Sequence, residues 1–127
     1  QIEGYLYEPD AAVMKAGGYK TFGMRYGLKK LHPNTHLFVG EHADCTLPAR
    51  CFRILEVVGF QKKALRKVTA LKKANLTVRN FPTSVAELRK RLKLAEGGEY
   101  YLFACTTAQD EKVIIVTEKV IPTVPLV

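Results

Sequence analysis

Apolar and polar residues alternate along this chain in patterns that predict strands and helices in turn. Residues 4–8 have the aromatic content of a short strand, and Asp10 is a suitable N-cap for a helix over residues 11–16. Gly17 and Gly18 favour the end of that helix. The chain is therefore expected to open with one strand and one short helix.

Three aromatic residues mark a second helix. Tyr19, Phe22 and Tyr26 are spaced to lie on one helical face, and Gly27 follows where helices commonly end in the left-handed conformation. Such a row of rings could serve as a platform for stacking bases. We favour the alternative that the rings pack in the core of the protein.

The rest of the chain predicts five further strands and two helices. The expected strands are residues 35–39, 51–58, 76–79, 100–106 and 112–119, and the expected helices are residues 61–73 and a segment that begins at Ser84. A polar turn joins the last two strands into an antiparallel hairpin. This order indicates an α+β fold, with a mixed sheet of about five to six strands and helices packed on it, in a single domain over residues 1–127.

A capping box marks the start of the last helix. Ser84 and Glu87 have the spacing at which the hydroxyl and the carboxylate bond to each other's backbone amides. Val85, Leu88 and Leu92 then follow at helical spacing. We expect these three side chains to form the buried stripe of the helix.

The positive charge of the chain is concentrated in one segment. The 127 residues include 20 Lys and Arg against 12 Asp and Glu, a net charge of +8. Eleven of those bases and one acid, Glu87, lie within residues 60–93, so this segment carries +10 and the remainder −2. A surface that serves only solubility mixes both signs, because each i,i+4 pair adds about 0.2–0.5 kcal/mol. The missing acids therefore favour a polyanion such as nucleic acid, and a simple solvated face stays the alternative.

Eight basic side chains of this segment are candidate phosphate ligands: Lys62, Lys63, Arg66, Lys67, Arg79, Arg89, Lys90 and Lys93. We expect Arg79 at the centre of the surface, on the exposed face of the strand between the two basic helices, where its planar guanidinium suits a phosphate. Asn80 could bond a base edge and Phe81 could stack on an unpaired base. For Phe81 we favour packing in the core.

The sequence nominates no catalytic or metal centre. Ser84 is the only serine and is already assigned to a helix cap, and neither a Gly-x-Gly-x-x-Gly loop nor a Walker sequence is present. His32, His36 and His42 with Cys45 lack the spacing of a zinc site. We therefore expect no cofactor and no metal in this chain.

The chain has the features of a reduced, cytoplasmic protein. Three cysteines are an odd number in a chain long enough to bury a core, which argues against a disulfide framework. No apolar run approaches the roughly 18 residues of a membrane span, and we expect no signal peptide, because Glu3 lies at the start and no apolar segment of suitable length follows it. We expect no membrane partner.

Several strings of residues, taken in order, carry a family resemblance. They are residues 4–10, 14–17, 31–37, 79–82, 87–94 and 101–103, of which the most specific are Tyr-Leu-Tyr-Glu-Pro at residues 5–9 and the basic helix of residues 87–94. Together they resemble the C-terminal THUMP-like domain of bacterial class I S-adenosylmethionine-dependent methyltransferases. The resemblance covers nearly the whole chain.

The resemblance implies an accessory domain. In such proteins the S-adenosylmethionine site and the catalytic residues lie in a preceding Rossmann-like domain, so no catalytic residue is carried over to this chain. THUMP-type domains are associated with structured RNA, which makes tRNA or rRNA and the catalytic domain of the parent chain the expected partners. The chain begins at Gln1 without Met, and we expect it to be a C-terminal part of a longer methyltransferase.

Two functions remain open at this point. The first is an RNA-binding domain that positions substrate for the methyltransferase domain. The alternative is a structural docking or oligomerisation domain with no direct RNA contact, in which residues 8–10 would suit a docking face. An independent enzyme is the weakest interpretation, because no residue here nominates a reaction.

Overall fold

Seven strands form one mixed β-sheet in the computed structural model, which describes residues 1–15 and 18–122. The strands are β1 (Tyr5–Pro9), β2 (Lys29–His32), β3 (Thr35–Gly40), β4 (Ala49–Gly59), β5 (Asn75–Arg79), β6 (Tyr100–Thr106) and β7 (Lys112–Lys119). The helices are α1 (Ala11–Lys15), α2 (Tyr19–Tyr26), α3 (Arg66–Thr69) and α4 (Val85–Leu92). The α+β class and the mixed sheet are as predicted, with one strand more than expected.

The strand order across the sheet is β2-β3-β1-β4-β7-β6-β5. Neighbouring strands are antiparallel except β5 and β6, which run parallel and are connected through α4. β4 has 11 residues and pairs with both β1 and β7, and its register with β7 shifts between Ile54 and Glu56. Such a bulge bends a strand and increases its twist.

The sheet curls so that the two halves of its inner face pack against each other. Leu6 and Phe52 share one buried cluster with Phe103 and Ile115 from the other half. The rings of Phe52 and Phe103 meet edge to face with centroids 4.9 Å apart. All nine buried members of this cluster come from strands, so the sheet covers its own inner face.

The helices cover the outer face of the curled sheet, with separate helices on each of its two halves. On one side α2 packs Phe22 against Phe38, with ring centroids 5.0 Å apart. On the other side α3 and α4 pack Val68 and Leu88 into a cluster with Ile114 of β7. Each buried side chain of this size contributes roughly 1.5–3 kcal/mol, so packing on the sheet fixes the position of all three helices.

Polar contacts fasten the two ends of the curled sheet. The Thr35 hydroxyl donates to the Thr106 carbonyl at 2.7 Å, and Asn80 Nδ2 donates to Thr35 Oγ1 at 3.2 Å. His32 Nε2 lies 2.9 Å from Asp110 Oδ1. These contacts hold β2 and β3 close to the ends of β5 and β6.

All six predicted strands are confirmed, and β2 was missed. Its residues, Lys29–His32, bury only one side chain deeply, that of Leu31. One apolar position among polar ones is too weak a pattern to predict a strand. The edge position explains why β2 can remain polar.

The predicted helix over residues 61–73 is wrong in length, because only Arg66–Thr69 is helical. Backbone bonds to the third residue back, such as Arg66 N to the Lys63 carbonyl at 3.4 Å, tighten the chain before the helix. No side chain caps the helix N-terminus, and no acid lies in its first turn to offset its bases. Leu65 and Val68 of this segment are nevertheless buried.

The first two helices agree with their sequence signals. Phe22 is buried in the core between Tyr19 and Tyr26, as expected for packing rather than base stacking. Gly27 ends α2 in the left-handed conformation, with φ 66° and its N–H bonded to the Gly23 carbonyl. The predicted end of the first helix, residues 16–17, lies outside the described residues.

The N-terminus of α4 differs in detail from the predicted capping box. Ser84 Oγ accepts from the Glu87 amide at 3.2 Å, whereas the Glu87 carboxylate accepts from the Ser84 hydroxyl at 3.3 Å and not from its backbone. Leu88 and Leu92 are buried as expected. Val85 is 40% exposed, so its place in the buried stripe was wrong: it lies in the first turn, before the helix meets the sheet.

Within residues 1–15 and 18–122, no helix is both long and apolar enough to cross a membrane.

The three cysteines are free, and Cys51 and Cys105 are buried. Burial raises the pKa of the Cys105 thiol to about 12. Cys105 is therefore an inert core residue.

Candidate nucleic-acid interface

A groove of about 670 Å³ lies between α3 and α4 on the outer side of the sheet. Its apolar floor includes Leu65, Ala70 and Leu92. Five cationic side chains line it: Lys62, Arg66, Lys72, Arg91 and Lys93. None of the described residues that line it is acidic. This α3–α4 groove is therefore a cationic channel without internal counter-charge.

The packing of the two helices explains why the bases face outward. Leu65 and Val68 point from the α3 segment into the core, and Leu88 and Leu92 do so from α4. Residues on the remaining faces must then lie at the surface. Because almost all charged residues here are basic, the outward faces of both helices are positive.

Three of the eight predicted ligands, Lys62, Arg66 and Lys93, line the groove. Lys63, Lys67 and Lys90 are exposed outside it. Lys67 Nζ lies 3.3 Å from Glu56 Oε1 in an exposed ion pair. Such a pair contributes about 0–1 kcal/mol. The ion pair with Glu56 therefore constrains the Lys67 side chain only weakly.

Sequence reasoning left Lys72 and Arg91 out of the predicted ligands, although both belong to the segment with charge +10. Arg91 Cζ lies 4.7 Å from the centroid of Phe60, and Phe60 meets Phe81 edge to face at 5.0 Å. Phe81 also packs against the buried cluster beneath α4. Packing of Phe81 in the core is therefore confirmed.

The two loops that leave α3 and α4 are paired with each other. The Ala95 amide donates to the Lys72 carbonyl at 2.9 Å, and the Ala74 amide donates to the Ala95 carbonyl at 3.0 Å. Lys73 and Ala95 form an isolated parallel bridge. The helix ends that carry Lys72 and Lys93 are thus held side by side.

Arg89, one of the predicted ligands, braces these loops from within. Its Nη1 donates to the Ala74 carbonyl at 3.1 Å and to the Leu94 carbonyl at 3.3 Å. Its Nε is buried without a partner among the described residues. Arg89 therefore positions both loops, and the structure does not place it with the exposed cations.

Lys72 and Lys93 have the left-handed backbone conformation, with φ values of 64° and 55°. The other non-glycine residues with positive φ in the described ranges are Asn80 and Asp110, types that tolerate this region. Lysine adopts the left-handed conformation less readily, because that conformation costs roughly 1–2 kcal/mol for a residue with a Cβ. Both lysines therefore occupy positions where glycine is the usual residue.

The expected placement of Arg79 between the two helices is wrong. Leu76 and Val78 of β5 pack on the helix side, and Arg79 pairs in register with Cys105 of the inner cluster. Since side chains alternate along a strand, Arg79 faces the other side of the sheet. The structure does not bring it to the groove, and phosphate contact by its guanidinium stays a prediction.

Arg79 is instead held by an acid from the start of the chain. Its Nη2 donates to Glu8 Oε2 at 2.8 Å, and Arg50 Nε donates to Glu8 Oε1 at 2.7 Å. The Glu8 side chain is only 11% exposed. Glu8 thus joins β1, β4 and β5 through two charge-assisted contacts.

Three of the strings behind the family resemblance, residues 4–10, 31–37 and 79–82, meet at this end of the sheet. Glu8 contacts Arg79, and Asn80 contacts Thr35 and lies 3.4 Å from His32 Nδ1. Asn80 therefore helps to close the sheet, and its side chain is already engaged in doing so. These three strings therefore serve the fold, and none of their contacting residues lines the α3–α4 groove.

The histidines do not form a metal site. Within the described residues, no group of three His, Cys, Asp or Glu side chains is placed to hold an ion. His36 stacks on Tyr19 with centroids 3.5 Å apart. Burial, with the nearby charges of Lys30 and Arg79, lowers the pKa of His36, so its ring favours the neutral form.

Two family models match the chain in adjacent ranges. The model of the THUMP domain-like family matches residues 49–119, and that of a ferredoxin-like domain matches residues 5–48. The groove lies within the first range and Glu8 within the second. The Tyr-Leu-Tyr-Glu-Pro string thus falls in the ferredoxin-like range.

Relatives of greater length contain a similar region. An uncharacterized S-adenosylmethionine-dependent methyltransferase from two strains of Mycobacterium tuberculosis is 32% identical over 93 residues, which cover 71% of this chain and 25% of the relative. The crystal structure of a candidate methyltransferase from Porphyromonas gingivalis W83 is similar with a TM-score of 0.88 and 40% identity. That match covers 95% of this chain and 30% of the solved chain. This chain therefore spans under a third of each of these relatives.

Proposed function

This chain belongs to the THUMP domain-like family, and from that premise we propose that it is an accessory domain that binds structured RNA. It would position that RNA for an S-adenosylmethionine-dependent methyltransferase domain of the same parent protein. The names of the longer relatives support the link to methyltransferases. The link to RNA rests on the groove.

The observation that carries the proposal is the set of five cations and no acid along the α3–α4 groove. These cations repel one another, and a polyanion would relieve that repulsion. Each phosphate held by a Lys or Arg also releases condensed counterions, which drives association. The five cations along the α3–α4 groove therefore suit a phosphate backbone.

A folded RNA fits the groove better than a single strand. Single-stranded nucleic acid is held mostly by bases stacked on aromatic rings. Here none of the described residues that line the groove is aromatic, and Phe60, beneath the guanidinium of Arg91, packs against Phe81. The groove therefore offers charge for a backbone and no open ring for a base.

S-adenosylmethionine does not fit this groove. Its sulfonium would meet five cations, and no carboxylate lines the groove to accept from the ribose hydroxyls. We therefore assign the cofactor and the catalytic residues to the methyltransferase domain of the parent protein. This chain contributes the binding of RNA only.

The proposal predicts steeply salt-dependent binding. Contact with three or more phosphates should lower the affinity for a folded tRNA about 20–40-fold or more between 50 and 200 mM salt, because each contact adds about −0.7 to −0.9 to the log–log slope. Fluorescence anisotropy with labelled tRNA measures this. A flat slope, or no binding at 50 mM salt, would contradict the proposal and favour docking on a protein surface.

A further inference from the structure

We propose that Lys72 and Lys93 form a paired phosphate subsite at one end of the α3–α4 groove, retained at a cost in backbone strain. The inference rests on the proposed RNA-binding function and makes it more specific. It assigns two contacts, one of them at a residue that the sequence did not nominate. The ligand is a phosphate of the RNA backbone.

Lysine is an unusual residue type at positions with positive φ. Four glycines in the described ranges have positive φ, as do Asn80 and Asp110, all of them residue types that accept it. Lys72 and Lys93 are the two exceptions in those ranges, and both line the same groove. A strained residue that persists points to a function for its side chain.

The loops that carry Lys72 and Lys93 are rigidly connected through their backbones. The loops of Lys72 and Lys93 are joined by the two backbone bonds through Ala95. Arg89 then ties the carbonyls of Ala74 and Leu94 from inside. The backbone positions from which the two lysine side chains extend are therefore fixed relative to each other, so binding a phosphate does not have to order the loops as well.

Capping of the helices does not account for these lysines. A cation near a helix C-terminus interacts favourably with the helix dipole. The last turn of α4, however, already contains Arg89, Lys90 and Arg91. The α3 helix has only four residues and a correspondingly small dipole. Glycine at both positions would therefore relieve strain without removing the charge that the helix ends need.

The test is the double variant Lys72→Gly/Lys93→Gly, measured for stability and for tRNA binding. We expect the melting temperature to rise by about 2–5 °C per substitution. We also expect the affinity at 100 mM salt to fall about tenfold or more, with a log–log salt slope shallower by roughly 1.5. A variant that is more stable yet binds worse has lost ligands and kept its fold.

Three further variants complete the test. Lys72→Asn/Lys93→Asn tolerates positive φ without charge and should bind as weakly as the glycine variant. Lys72→Arg/Lys93→Arg keeps the charge and should bind like the original chain. Lys20→Gln, on the exposed face of α2, removes one charge away from the groove and should have little effect.

Two results overturn the subsite and one overturns the broader proposal. If the original chain binds tRNA and the glycine variant binds equally well, the lysines are not ligands. If glycine lowers the melting temperature, as it does at a position without backbone strain, the two lysines are not strained and the subsite loses its basis in backbone conformation. If the original chain shows no salt-dependent binding, the proposed RNA-binding function itself has failed.

Discussion

Reversing three charges of the groove, with Lys62→Glu, Arg66→Glu and Lys93→Glu, is expected to weaken tRNA binding at least about 100-fold at 50 mM salt. Each substitution removes a cation that we propose contacts phosphate, and places a carboxylate where the RNA backbone would lie. The three side chains are exposed, so the fold should survive. Anisotropy titrations beside circular dichroism spectra measure both effects.

The matched control reverses three exposed lysines elsewhere, with Lys20→Glu, Lys29→Glu and Lys112→Glu. Both triple variants lower the net charge from +8 to +2. General attraction between opposite charges would therefore weaken equally in both. If the control lost as much affinity as the groove variant, net charge alone would explain binding and the groove would not be the site.

Replacing the acid that joins three strands, Glu8→Gln, is expected to lower the free energy of unfolding by about 2 kcal/mol. A glutamine oxygen can accept from one guanidinium, but its amide group would face the other. Contacts to a charged group are worth roughly 1.5–3 kcal/mol, and the remaining guanidinium loses its counter-charge. Urea denaturation followed by circular dichroism measures the change.

The control for this prediction is Glu118→Gln, whose carboxylate pairs with Arg53. That pair is exposed, with side chains 57% and 38% accessible, so its loss should cost no more than about 1 kcal/mol. RNA affinity should be unchanged by Glu8→Gln, since Glu8 and Arg79 face away from the groove. Equal destabilisation by the two variants would show that Glu8 has no special role.

The periodicity of the sequence was a sound guide to the strands, because six of the seven pack apolar side chains against the core. It failed for β2, where Leu31 is the one deeply buried side chain. It also overextended the helix of residues 61–73. The stripe of Leu65 and Val68 holds equally for a single helical turn that continues into irregular backbone.

Charge counting located the basic segment but could not sort its members. Arg79 differs from its neighbours because Leu76 and Val78 bury the opposite face of β5. Arg89 differs because two backbone carbonyls lie within reach of its guanidinium. Lys72 stands out only through its backbone conformation, which no residue pattern predicted. The residues that line the groove could therefore be identified only from the three-dimensional structure.

The most direct test of the central claim is a map of amide chemical shifts in ¹⁵N-labelled protein during titration with tRNA. The account predicts that the largest changes fall on α3, on Lys72 and on the segment from Arg91 to Ala95, with little change around Glu8, Arg50 and Arg79. Changes concentrated at Glu8, Arg50 and Arg79, with none along the groove, would contradict the account.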